Sequence, residues 1–126
     1  MGRLITISSI MAVLIAFSCF TVYETNRVQE ELGQLLDQAE ICAVDEDFEK
    51  AAEVAEEIEK VWDSKQSTLL LFTNHSEIDQ MTEAVAQLQS LIEYENQAEF
   101  RSEIDVAREI LMDIYLFQLP FFENVL

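Results

Sequence analysis

Twenty consecutive residues, Leu4 to Tyr23, carry no charge, and beyond them apolar residues recur at steps of three and four among polar ones. The first stretch matches the roughly 20 apolar helical residues that a bilayer core requires. The spacing that follows predicts helices. Val28, Leu32, Leu35, Ala39 and Cys42 mark one helical face, and no Gly or Pro separates it from the apolar run. One long helix is therefore expected, broken near Asp45-Glu46-Asp47. A second begins there with an Asp cap and early acids that suit its positive amino end. Its stripe is Phe48, Ala51, Ala52, Ala55, Ile58, Trp62, Leu69 and Phe72, the longest soluble helix unless Ser64 to Thr68 breaks it.

Thr73 to Ser76 read as a turn, with Ser76 and Asp79 spaced as a capping pair before a new apolar run. Ile78, Met81, Val85, Leu88 and Ile92 form the third stripe, and Asn96-Gln97 mark the next turn. Phe100, Ile104, Ala107, Ile110, Leu111 and Ile114 form the fourth, which Pro120 is expected to end. Short connections favour antiparallel neighbours, so the expected fold is all-α: a transmembrane helix over residues 1–23 continuing into a small antiparallel bundle of about four helices. A faint similarity at an offset of 52 residues, Phe48, Ala55, Glu57 and Ile58 against Phe100, Ala107, Glu109 and Ile110, leaves a stack of two helix hairpins as the alternative.

Composition sharpens this picture. Two glycines and one proline in 126 residues argue against a many-stranded fold. Residues 24–126 hold all 25 acids and six of the seven basic residues, a formal charge of −19. Nucleic acid is a poor partner, because phosphate binding depends on clustered Lys and Arg. An anionic lipid surface would repel the domain too, so it is expected to stand off the membrane unless cations or a basic partner bridge the gap.

An uncleaved anchor is the favoured reading of the first segment. A cleaved signal has only the weak site Ala16-Phe17-Ser18, and a lipid-modified Cys19 would want small residues where Phe17 stands. Arg3 and the terminal amine bias the short amino-terminal tail towards the cytoplasm and residues 24–126 towards the outside. Cys42 is the sole thiol of the soluble part, so no internal disulfide forms there, and its apolar position suits a buried thiol.

Candidate chemistry is sparse. His75, Glu77 and Asp79 could gather at a helix start to bind a cation or a partner's donor group, but zinc and diiron sites need more ligands at other spacings, and a capping cluster is the simpler account. The acids Asp45, Glu46, Asp47, Glu49, Glu53, Glu56, Glu57 and Glu59 lack the glycine of a calcium loop and read as a solvated face, paired in part as Glu46 with Lys50 and Glu56 with Lys60. The tail with Phe121 and Phe122 has three readings: folding back on the bundle, lying in the membrane interface beside Tyr23, or docking a partner. No phosphate loop, paired histidines or nucleophile with a base is present, so neither an enzyme nor a cofactor is expected.

The apolar start, Asp47-Phe48-Glu49-Lys50-Ala51, Trp62, the segment Leu71 to Asp79 and the closing Glu123-Asn124-Val125-Leu126 together resemble the small bacterial single-pass membrane proteins of domain of unknown function 4363, from clostridia and related Firmicutes. The sharpest part is Phe72, His75, Glu77, Ile78 and Asp79; Phe48 stands where Trp is common and Asn74 where Asp is common. The resemblance implies a single-pass helical envelope protein of unassigned activity, with the His75 region as a functional or structural hinge. The function expected is a non-enzymatic, membrane-tethered module that binds an envelope or membrane protein or itself, with His75, Glu77, Asp79, Phe121 and Phe122 as candidate contacts. The alternative is an extracytoplasmic sensing domain for divalent cations or a basic peptide.

Overall fold

The computed structural model describes the backbone of residues 1–71 and 73–125, and the side chains of residues 1–71 and 73–116. It contains α1 (Gly2–Val44), α2 (Phe48–Leu69), α3 (His75–Glu93) and α4 (Gln97–Val125). At 1.5 Å per residue α1 is about 65 Å long. Each helix packs on the next, and α4 closes the ring on α1. Among the described residues the diagonal pairs α1/α3 and α2/α4 have no Cα atoms within 8 Å. This is an up-and-down four-helix bundle, and the closing of α4 onto α1 decides against stacked hairpins.

Two hairpins of one design build it. At the end of α1 the Glu46 N–H donates to the Ala43 carbonyl (3.1 Å) and the Asp47 N–H to the Cys42 carbonyl (2.9 Å). At the end of α3 the Glu95 N–H donates to Ile92 (3.0 Å) and the Asn96 N–H to Leu91 (3.0 Å). These are Schellman closures, which need a left-handed residue. Glu46 (φ 59°) and Glu95 (φ 55°) supply it without being glycine. The next residue in each turn caps the following helix, Asp47 accepting from the Lys50 N–H (3.2 Å) and Asn96 from the Glu99 N–H (3.3 Å). The Asp cap near residue 47 is thus as expected, but Glu46 lies in the turn, outside the helix that was to pair it with Lys50.

Counting equally away from each turn gives the core layers. Ala43 stands level with Ala51, Ala39 with Ala55, Leu36 with Ile58, and Leu32 with Trp62, all buried. In the second hairpin Ile92 stands level with Phe100, Leu88 with Ile104, Val85 with Ala107, and Met81 with Leu111, again all buried. The offset relating the hairpins is therefore 49 residues, from Asp47 to Asn96, and the 52-residue similarity is out of register by about one helical turn. The layers near the turns set alanines of the first hairpin against Phe100, Ile92, Leu88 and Ile104 of the second, so small fills against large.

Other boundaries differ from expectation. The α1 seam runs through Leu36, with Leu35 half-buried, and Ala52 faces solvent, because neighbouring helical positions differ by about 100°. The cap of α3 is Asn74, whose side chain accepts from the Ser76 N–H (2.9 Å); Glu77 takes the third helical position, two residues before the Asp79 expected there. The helix α4 continues past Pro120 to Val125 and, at 29 residues, exceeds the 22 of α2. A proline deletes one backbone hydrogen bond, here to the Leu116 carbonyl, and this loss near a helix end leaves the remaining turns intact. Phe72 lies outside the described residues.

Glu46→Gly and Glu95→Gly, measured by thermal circular dichroism of the full chain in detergent, should each stabilise the fold by about 0.5–1 kcal/mol, since glycine removes the left-handed penalty and gives back part of it as chain entropy.

Candidate functional site

The amino-terminal half of α1 is long and apolar enough to cross a membrane. Residues 1–17 are all exposed, and the first buried position of α1 is Ser18, followed by Thr21, Thr25 and Val28. Hydroxyls in this half turn back on their own helix: Thr6 donates to Gly2 (2.8 Å), Ser9 to Ile5 (2.8 Å), Thr21 to Phe17 (2.8 Å) and Thr25 to Thr21 (2.9 Å). Such bonds leave few unsatisfied donors for an apolar medium to penalise. Cys19 is exposed in this run, and Cys42 is buried in the bundle.

The buried polar contacts of the bundle are structural. Trp62, fully buried, donates its indole N–H to the Thr82 hydroxyl (2.9 Å), which donates in turn to the Ile78 carbonyl (3.0 Å). Trp62 is therefore a core residue. Gln97, the first residue of α4, donates to the Ala43 carbonyl (2.6 Å) and ties the two turns together at one end of the bundle.

Arg108 links α4 to α1. Its guanidinium meets Asp37 (2.6 Å) and Glu40 (2.5 Å) across the helices and Asp105 (2.9 Å) on its own helix, while Arg101 reaches Glu40 (3.7 Å). Desolvation alone would lower the Arg108 pKa; the hydrogen bonds to Asp37, Glu40 and Asp105 outweigh it and raise the value. Beside it runs a groove of about 400 Å³ whose wall includes the exposed Ile41 and Val44. A second groove of about 470 Å³ between α2 and α3 is lined by Glu56, Glu59, Asp63 and Glu93 with Lys60. Glu56 pairs with Lys60 at 3.9 Å, as its spacing predicts, and Gln89 donates to Glu59. Between α3 and α4, burial raises the pKa of Glu103, with repulsion from Glu83 adding to it.

His75, Glu77 and Asp79 all fall in the first turns of α3, but not on one surface. His75 and Asp79 are exposed, one turn apart, whereas Glu77 is half-buried with one carboxylate oxygen enclosed and unpartnered. Among the described residues no three His, Cys, Asp or Glu groups stand where they could hold a metal. The acids from Asp45 to Glu57 are exposed and Glu59 half-buried. The side chains of Phe121 and Phe122 lie outside the described residues. Sequence reasoning passed over Arg108: only Asp105, three residues before it, was legible as a partner, while Asp37 and Glu40 come to it through the closing of the ring.

A family model described as "Domain of unknown function (DUF4363)" matches residues 19–125. The chain belongs to the DUF4363 family. Searches of curated proteins and of solved structures each gave no match. The DUF4363 match begins at Cys19, next to the first buried residue, so it covers the packed portion of the chain together with the last residues of the apolar run.

Arg108→Met should cost roughly 1 kcal/mol at low salt, read from chemical denaturation, because Asp37, Glu40 and Asp105 are left facing one another. The loss should shrink in molar salt, which screens that repulsion. Glu103 gives a pH signature of opposite sign. Its folded pKa is raised, so the ionised group destabilises the fold at pH above both values, and the effect vanishes once it is protonated in both states. Glu103→Gln should therefore raise the melting temperature at pH 7, with the gain fading as pH falls through the carboxylate range.

Proposed function

We propose that this DUF4363 protein is a non-enzymatic, single-pass module of the bacterial envelope, anchored by Leu4 to Tyr23, which holds its acidic bundle outside the cytoplasm to bind another envelope protein or a second copy of itself. The observation that carries this reading is the division of α1. Its residues 2–17 are exposed and apolar in character, while the same unbroken helix supplies Leu32, Leu36, Ala39 and Ala43 to the core. A helix that is apolar all round calls for a lipid or protein environment. The interaction role is supported by exposed apolar residues at the end of the bundle remote from that segment, Ile41, Val44 and Tyr94. A cationic ligand is the second reading, favoured by the four acids that line the groove between α2 and α3.

The first reading predicts that the full chain stays with the membrane pellet after alkaline carbonate extraction, and that a photo-crosslinker at Ile41 or Phe121 captures one envelope protein, or the chain itself, while a probe at exposed Lys50 does not. Recovery in the carbonate supernatant would remove the anchoring. A melting temperature raised by several degrees in submillimolar calcium, abolished by Glu59→Gln with Asp63→Asn, would move the assignment to the second.

A further inference from the structure

Leu71 is a large apolar residue of the α2–α3 connection, two residues past the end of α2, that is 75% exposed within a domain whose surface is dominated by acids. Counting away from the turn at Asp47 sets Leu69, the last residue of α2, level with Thr25, two residues of α1 from Tyr23, the last residue of the uncharged run, and Leu70 and Leu71 follow Leu69 in the connection. Tyr23 is itself 62% exposed. The second hairpin brings Leu116, 48% exposed, to the same end, because Ile114 stands level with Ile78, one turn into α3. Two stretches without Asp, Glu, Lys or Arg, eleven residues from Gln66 to Ser76 and nine from Ile114 to Phe122, contribute the described Leu70, Leu71 and Leu116 to the end of the bundle nearest the apolar half of α1. A third charge-free stretch, Ala84 to Ile92, has a different outer face, with Ala86, Gln87 and Ser90 exposed. The turn Asp45-Glu46-Asp47 lies at the opposite end, so its three acids are as far from this one as the bundle allows.

We infer that this end of the bundle is a lipid-contacting foot: Leu71 and Leu70 of the α2–α3 connection, with Tyr23 and Leu116, seat in the interfacial zone of the bilayer that α1 enters. The inference rests on the anchoring reading above and adds a surface to it. The occupant is lipid because the apolar end is continuous with a membrane-length helix and at the same height as its boundary, where an aromatic such as Tyr23 partitions into the headgroup region. Burying Leu71 in that zone removes apolar surface that water would otherwise cover. The bundle stands directly on the membrane rather than on a stalk, and the distal acids avoid the lipid charge that would repel them.

The test uses the full chain with Cys19→Ala and Cys42→Ala and one new cysteine at Ile10, Leu71 or Tyr94, each carrying an environment-sensitive fluorophore, in zwitterionic phosphatidylcholine vesicles containing nitroxide-bearing lipids. Far-UV circular dichroism confirms that each labelled chain is helical. The Ile10 label should be quenched by deep acyl-chain nitroxides, the Leu71 label at least twofold by nitroxides near the headgroup, and the Tyr94 label by neither. Quenching at Ile10 with Leu71 as unquenched as Tyr94 overturns the foot and leaves the anchor intact. An unquenched Ile10 overturns the anchor, and the foot with it.

Discussion

The unbroken backbone of α1 is the constraint on which the rest of this molecule depends. A continuous helix transmits orientation: every residue added rotates the next side chain by about 100°, so the face that Val28 and Leu32 present to the bundle is fixed relative to the face that Phe17 and Phe20 present outward. Both of those aromatics are about half exposed, while Leu32 is fully buried. The bundle cannot swivel about its apolar segment without breaking backbone hydrogen bonds. Whatever surface meets lipid or a partner is thereby set when the four helices pack, and Tyr23, Leu71 and Leu116 reach one end because α2, α3 and α4 must run parallel or antiparallel to that single axis.

Charge determines how the ring can close. With 25 acids against six bases beyond Tyr23, most helix faces repel one another at long range, and the apolar layers must overcome this. Arg108 lies between α4 and α1, where Asp37 and Glu40 would otherwise face Asp105 and each other. Among the described residues no cation forms an ion pair across the α3–α4 interface, and there burial and Glu83 push the Glu103 proton affinity up. The two neighbouring interfaces thus differ: the guanidinium groups of Arg108 and Arg101 stand among the acids of one, while at the other burial first, and Glu83 second, raise the Glu103 pKa.

The hairpin design shows how the layers remain specific. Glu46 and Glu95 occupy left-handed positions that glycine would fill at lower cost, so the Schellman geometry is imposed by the packing on either side and not by local preference. Alanine layers in the first hairpin stand at the height of Phe100 and Ile104 in the second, and Trp62 and Leu32 stand at the height of Leu111 and Met81. Complementary volumes of this kind disfavour pairing each hairpin with its own copy at the upper layers, where alanine would meet alanine and leave space unfilled.

Periodicity alone determined the helices, the break at Asp45 to Asp47, the turn before Ile78 and the membrane-length segment, because a 3.6-residue repeat and the absence of charge are properties of neighbours along the chain. Local hydrogen-bond geometry escaped it: Asn74, not Ser76, caps α3, since which of several polar residues becomes extended depends on where the preceding helix delivers the chain. The two hairpins repeat at 49 residues, yet their core positions complement rather than resemble each other, so no comparison of like with like could find that register. Only the tertiary structure decided that Arg108 meets Asp37 and Glu40, that Gln97 binds the Ala43 carbonyl, and that His75 and Asp79 face solvent while Glu77 turns inward. Each of these joins residues or faces whose positions are fixed by how α4 closes onto α1, and that closure is a property of packed volumes that the spacing of apolar residues along one helix does not contain.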